Sequence, residues 1–387
     1  MIQVKEAPVA PTHRGDLRPL VAEGVSPWLD GFHRGLFGPD RPARLTEPAG
    51  LRGATSNPAL LAARLADEPS YAQQLARLAE HGVSVEGAVW AISVQDLRMA
   101  ADELLPVFRA TQGYDGLVSA DMDPRMAHNP AATTAEAIEL VRAVDRPNLL
   151  VKIPATPEGL TALRDCVALG IGVHATGVFS VQRYREVVDA WFGGLERALR
   201  AGRTVSRIAS VASLPVGPVD REIDRRLTAI GTGPALELRG TGAVATARLL
   251  YQVYEEQLGS ARWRALRAHG ARPQRLLWST AELADTAAAR SWYVEGLVSW
   301  GTVHAMTRPL LDEAARALRL RGDTLMGQHE AALTVHDRLG RLGIPYRAVV
   351  RRLESENITG LVDSWMRLHA AMEARLGGKA GAPRDGR

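Results

Sequence analysis

A lysine stands in the middle of the apolar run "NLLVKIPAT", residues 148–156. Lysine occurs elsewhere in the 387 residues only at positions 5 and 379, near the two ends, and arginine carries nearly all the remaining positive charge. Burying an unpaired ammonium is costly, so Lys152 is a marked choice. Desolvation can lower a lysine pKa by several units, which turns the amine into a nucleophile toward carbonyls near neutral pH. The expected use is a Schiff base. Two plainer fates stand beside it: the stem lies along the strand while the ammonium reaches water, or a core carboxylate neutralises it.

The elements that would position this lysine recur along the chain. Short β-like runs appear in "VSPWLD", "GLRGATSN", "DGLVSADMD", "NLLVKIPA", "GIGVHATGVFS", "RIASVASLPV", "PQRLLWST" and "WGTVHAM", each followed by a longer stretch with helical spacing. In "SVQRYREVVDAWFGGLERALRAG", Val181, Tyr184, Val188 and Trp191 share one helical face and Gly202 supplies the stop. Alternating strands and helices imply parallel pairing, and eight units imply a single closed (β/α)8 TIM barrel of α/β class with extra helices. In a barrel, Leu149, Val151 and Ile153 would face the helical shell, while Leu150, Lys152 and Pro154 would face the interior. Lys152 then points at the axis, toward the end where barrel enzymes keep their chemistry.

Composition narrows the class without naming a reaction. A hydrophobic fraction of 46% and a charged fraction of 23% exclude disordered and fibrous proteins. The formal charge is +4, but arginine alternates with acids along helices and no basic and aromatic residues cluster, so no nucleic-acid partner is expected. One cysteine, Cys166, excludes a disulfide framework and fits a reducing cytoplasm. No apolar run approaches the roughly 18 residues of a membrane span, and no secretory leader is visible, so neither membrane nor export is expected. Residues 1–19 and 376–387 read as loose tails around a barrel of 20–375.

Several segments together resemble the transaldolases, and most closely the longer actinobacterial type. "LVKIPATPEGL" is similar to that family's Schiff-base strand, "GATSNPALL" to its Thr-Thr-Asn-Pro-Ser motif, and "VSADMDPRMAHN" to its Val-Ser-x-Glu-Val-Asp motif. "HATGVFSVQRY" and "IASVASLPVGPVDREIDRRL" resemble the next two strands, and the likeness continues through "LRGTGAVATARLLYQVYEE" to "LGIPYRAVVRRLESENITGLVDSWMRL". The resemblance implies transfer of a three-carbon dihydroxyacetone unit from a ketose donor to an aldehyde acceptor, with Lys152 forming the imine. It implies that Asp30 moves the hydroxyl proton during carbon–carbon cleavage, and that Asn57 and Ser213 hold the dihydroxyacetone unit. Thr176 and Asp121 would position a water, with His174, Ser279 and Thr280 completing the substrate wall. Each has a plainer alternative: Asp30 and Asn57 as a helix cap and a turn, Thr176 and Ser213 as partners of strand backbone.

The chain departs from the pattern in places that bear on substrate. Asp121 stands where the family has glutamate, and losing a methylene withdraws the carboxylate by about 1.5 Å, enough to cost on the order of 100-fold unless a water bridges the gap. His174 replaces an asparagine. Pro218 and Ala284 replace two cations that grip a phosphate, while Ser279, Thr280 and Arg290 remain near. Loss of both cations predicts a donor or acceptor less phosphorylated than usual; the alternative is an ordinary pentose phosphate transaldolase, acting on sedoheptulose 7-phosphate and glyceraldehyde 3-phosphate, whose phosphate is held by other residues. A catalytically silent barrel is a third reading, against which the retained Lys152 argues.

Other chemistries find little support. "RGTGAVATA" contains a Gly-x-Gly-x-x-Ala with no strand before it, "HEAAL" lacks the second histidine of a zinc protease, and the ten histidines show no ligand spacing. Imine chemistry requires neither metal nor organic cofactor, so none is expected. The partner is a sugar or sugar phosphate, and the assembly a monomer or homodimer.

Overall fold

A computed structural model of the chain describes residues 15–37, 45–46, 49–280 and 287–377, the side chains of 287–291 excepted. Eight strands form one closed, wholly parallel barrel in sequence order: β1 (Val25–Asp30), β2 (Gly53–Thr55), β3 (Leu117–Ala120), β4 (Leu149–Pro154), β5 (Gly172–Thr176), β6 (Ser210–Pro215), β7 (Arg275–Ser279) and β8 (Thr302–Met306). Each lies inside one of the eight runs marked by the sequence.

Alternation along β4 sorts its side chains as expected. Leu149, Val151 and Ile153 join the large core between barrel and helices, whereas Leu150 belongs to a second cluster inside the barrel with Trp28, Leu117, Val211, Leu277 and Val303. Trp28 fills this interior, and its neighbour across β2 has to be small. A Cβ at Gly53 would lie 2.4 Å from the Trp28 indole, and one at Gly172 would lie 2.7 Å from Leu150. Glycine thus lets large side chains close the lumen.

Below this plug, at the N-terminal end of the barrel, lies a buried polar network that the sequence did not reveal. Arg275, 3% exposed, donates to Ser26 Oγ at 2.7 Å, to Asp115 Oδ1 at 3.0 Å and to the Tyr114 carbonyl at 2.8 Å. Its guanidinium also stacks on the Tyr114 ring, 4.2 Å from the centroid.

The shell helices follow the apolar stripes. Helix Val181–Arg200 buries Tyr184, Val188 and Trp191, is capped by Ser180, and is followed by Gly202 at φ +71. On its solvent side Asp189 and Glu196 both pair with Arg262, so the alternating charges there form exposed ion pairs. The expected N-terminal tail is in part folded: residues 1–14 lie outside the described residues, but Arg18–Ala22 is helical and Leu17 and Leu20 are buried. The other expected tail lies outside the described residues from 378 onward.

One element has no counterpart in a bare barrel. Helix Tyr346–Gly377 crosses the mouth at the C-terminal ends of the strands, contributing Asn357, Gly360, Ser364 and Trp365 to the cavity there. Its far end buries Leu368 and Met372 against Leu65, Tyr71 and Ile92. Its middle approaches the backbone after β5 so closely that a Cβ on Gly177, at φ +71, would lie 2.5 Å from Asn357 Nδ2. Among the described residues no helix is long and apolar enough to cross a membrane.

Candidate active site

Lys152 Nζ emerges from β4 at the wall of a cavity of about 640 Å³. It donates to the Ser56 carbonyl at 2.6 Å and to Asp121 Oδ2 at 2.9 Å. Both ends of the ion pair are shielded, with side-chain exposures of 15% and 13%, so solvent screens the pair little. The nitrogen therefore has a carboxylate beside it and open space before it. Of the fates open to this amine, a carboxylate is the one found beside it, because Asp121 follows directly after β3, the neighbouring strand.

Asp121, the shortened third-strand acid, reaches Lys152 directly. Ser56, which sequence reasoning did not single out, makes this possible. Its hydroxyl donates to Asp121 Oδ2 at 2.6 Å and accepts from the Asp121 backbone N–H at 2.8 Å, while its own carbonyl accepts a hydrogen bond from the Lys152 ammonium. The residue was within the quoted "GATSN", but a serine next to a strand end carries no distinguishing signal.

Asp30 closes β1 and is 6% exposed. Asn57 serves two elements at once. Its Oδ1 accepts from Leu60 N at 3.3 Å, capping helix Pro58–Asp67, and its Nδ2 donates to Asp30 Oδ1 at 3.3 Å. Cap and site roles are thus combined in one side chain, since an amide has both an acceptor and a donor.

On β5, His174 and Thr176 stand opposite Lys152 and Pro154 in register. His174 is 3% exposed; burial, then the nearby lysine charge, hold its pKa well below the ordinary histidine value, so the ring is neutral. Ser119 Oγ lies 2.7 Å from its Nδ1. That buried hydroxyl has no other acceptor among the described residues, so it donates to Nδ1 and the hydrogen is assigned to Nε2. Nε2 is buried and has no hydrogen-bond partner among the described residues.

Asp30, Asn57, Asp121 and Lys152 all line the one cavity, and so do His174, Thr176, Ser213 and Ser279. Among the described residues, Ser213 Oγ makes only a long contact of 3.4 Å to the Ala175 carbonyl. Thr280 is the exception among the expected site residues. It is 2% exposed, and its hydroxyl donates 2.8 Å to the Ala305 carbonyl, tying β7 to β8 outside the cavity. Strand alternation turns it away as Ser279 turns in.

The phosphate corner also differs from the sequence reading. Pro218 does line the cavity, but Arg221 and Arg367 line it as well, so the wall is not stripped of cations. Arg221 is a helical turn past Pro218, and Arg367 comes from the terminal helix, far away in sequence. Ala284 and the Arg290 side chain lie outside the described residues.

An eight-stranded parallel barrel with an inward lysine on β4, facing carboxylates across one cavity, has the architecture of a lysine-dependent aldolase. The family model described as "Transaldolase/Fructose-6-phosphate aldolase" matches residues 27–372, and the chain belongs to this family. It is 44% identical over 360 residues to the "Transaldolase" of Acidothermus cellulolyticus, covering 93% of this chain and 96% of the relative. It is 46% identical over 352 residues to the "Transaldolase" of Thermobifida fusca, covering 91% of this chain and 96% of the relative, and 44% identical over 360 residues to "Transaldolase 2" of Streptomyces coelicolor, covering 93% and 97%. The protein is an aldolase-type transferase, and the lysine imine mechanism is characteristic of the family.

Proposed function

We propose that the chain moves a three-carbon dihydroxyacetone unit from a ketose phosphate to an aldehyde acceptor, as an ordinary transaldolase does. The observation that carries this reading is Lys152 Nζ, 2.9 Å from Asp121 and at the wall of the cavity that Asp30 also lines. The Lys152 proton passes to Asp121, and the freed lone pair attacks the ketose carbonyl to give a carbinolamine. Asp121 and Thr176 handle the water and proton that leave as the imine forms. Asp30 takes the proton of the hydroxyl on the fourth carbon while the bond between the third and fourth carbons breaks. The electrons of that bond flow into the imine, leaving an enamine and releasing an aldehyde. The enamine then adds to the acceptor aldehyde, Asp30 returns the proton to the new hydroxyl, and water hydrolyses the imine to free Lys152. Asn57, Ser213 and the His174 Nε2–H hold the hydroxyls of the retained unit. A buried lone thiol, Cys166, supports a reducing cytoplasm as the site of action.

The family description, which includes a fructose 6-phosphate aldolase, supports a phosphorylated donor, and so does Arg221 at the cavity wall. Pro218 at the wall favours the second reading, a less phosphorylated donor. Borohydride reduction in the presence of fructose 6-phosphate, followed by peptide mass mapping, tests the mechanism. A reduced three-carbon or six-carbon adduct on Lys152 is expected; wild-type protein that gives none with any ketose rules the imine out.

A further inference from the structure

Pro218 cannot hold an anion, yet the helix that carries it, Val216–Ile230, presents a cation on the same face. Arg221 follows at i+3, where helical side chains lie one above the other, and both residues line the cavity. Helical side chains lean toward the N-terminus of their helix, and this helix begins at the mouth, immediately after β6. Arg221 therefore leans back toward the site. The register pairs Pro215 with Ser279, so the end of β7 lies beside the start of the helix. Ser279 lines the cavity too, and its hydroxyl makes no hydrogen bond among the described residues. Arg221 has an interaction of its own, and its five N–H donors leave room for an oxyanion beside it.

The other two cations of the described wall are differently committed. Lys152 is paired with Asp121, and Arg367 donates to Ser364 Oγ at 2.9 Å on the terminal helix. Arg367 is next in sequence to Leu368, which joins the cluster of Leu65 and Tyr71.

We propose that Arg221, with the Ser279 hydroxyl, binds the terminal phosphate monoester of the ketose donor, replacing the cation that a proline excludes at position 218. The anion site is moved one helical turn, not lost. This rests on the imine reading above, and the adduct on Lys152 reports that reading separately.

The test uses the full chain, with fructose 6-phosphate and fructose as donors and borohydride adduct formation on Lys152 as the signal. Wild type should half-saturate at a fructose 6-phosphate concentration at least about 10-fold below that for fructose, and inorganic phosphate should compete with the phosphorylated donor. Arg221→Gln should raise half-saturation for fructose 6-phosphate by about 10- to 100-fold, leave fructose within a few fold, and abolish competition by phosphate. Arg221→Lys should recover part of the loss, because the charge returns without the fork. Arg367→Gln should leave both donors within a few fold. The proposal is overturned if Arg221→Gln leaves the phosphorylated donor unchanged, if both donors weaken together, or if Arg367→Gln causes the selective loss instead. Wild type that traps neither donor overturns the imine reading, and this proposal with it.

Discussion

Ser119 Oγ sits 2.7 Å from His174 Nδ1, on neighbouring interior positions of β3 and β5 either side of Lys152. The contact fixes which ring nitrogen keeps its hydrogen. A side chain that supplies one N–H donor at the same place can replace it. His174→Asn should retain activity within about 10-fold, whereas His174→Phe, which fills the space without a donor, should lose on the order of 100-fold in kcat/KM. Ser119→Ala should cost roughly 10-fold by releasing the ring orientation. Steady-state kinetics with a single donor and acceptor checks all three, and equal rates for Asn and Phe would show that the N–H is not used.

The Lys152–Asp121 pair makes a sharper prediction. Asp121→Asn keeps the shape and removes the base, so kcat should fall by about 10²- to 10⁴-fold while Lys152 still forms a slow, trappable adduct. Lys152→Ala should give no adduct at all. Ser56→Ala, which removes the 2.6 Å contact to Asp121 while leaving the carbonyl that holds Lys152, should fall between wild type and Asp121→Asn. Rapid-quench trapping against time separates the two effects, because imine formation and turnover are read independently.

At the closed end of the barrel, Asp115 and Ser26 answer the charge and donors of Arg275. Asp115→Ala leaves a buried guanidinium without its carboxylate, a class of change that costs about 3–5 kcal/mol. Urea unfolding should show this as a lowered midpoint with an unchanged slope. Asp115→Ala with Arg275→Met, which removes both charges, should recover most of the loss. If the double variant is no more stable than the single, the cost is packing and not charge.

His304 lies wholly inside, and burial lowers its pKa to about 4, with Nε2 2.9 Å from the Leu297 carbonyl. The folded value is below the unfolded one, so the unfolded chain binds the extra proton between about pH 6.5 and 4. Stability from this residue is complete above the unfolded value and is lost as pH falls through that window. Glu136, raised to about 7 mainly by burial, acts in the opposite sense, since its stabilising effect falls as pH rises from about 4.5. Comparing wild type with His304→Gln separates them. Guanidinium unfolding at pH 7.5 and 5 should show a drop smaller by on the order of 2 kcal/mol in the variant. Parallel curves would show that His304 does not titrate on unfolding.

Gly177 is where the terminal helix meets the barrel. Gly177→Ala forces a Cβ toward the Asn357 amide at a left-handed backbone position, which costs about 1–2 kcal/mol and pushes the helix outward. Raised KM with little change in kcat is expected, because the helix forms part of the wall and touches none of the reacting atoms as described.

Period and order along the chain determined much of this protein. The eight β-like runs, each followed by a helical stripe, fixed the barrel, and alternation along β4 fixed which way Lys152 points, since both follow from backbone geometry that local residues dictate. The strand-end residues Asp30, Asn57, Asp121, Thr176 and Ser213 were legible through the likeness of their segments to the transaldolases, and the barrel brings them together because parallel strands deliver their C-terminal ends to one face. Tertiary structure alone decided the pairings. Whether Lys152 would reach water or Asp121, and whether Ser56 would bridge them, depend on the register between strands, which no single segment encodes. Arg221 escaped because the likeness pointed to position 218, while a cavity can be reached as well from one turn farther along a helix. The terminal helix and the Arg275–Asp115 network join residues more than 150 positions apart, and only closure of the barrel brings such groups within the few ångströms over which hydrogen bonds and ion pairs act.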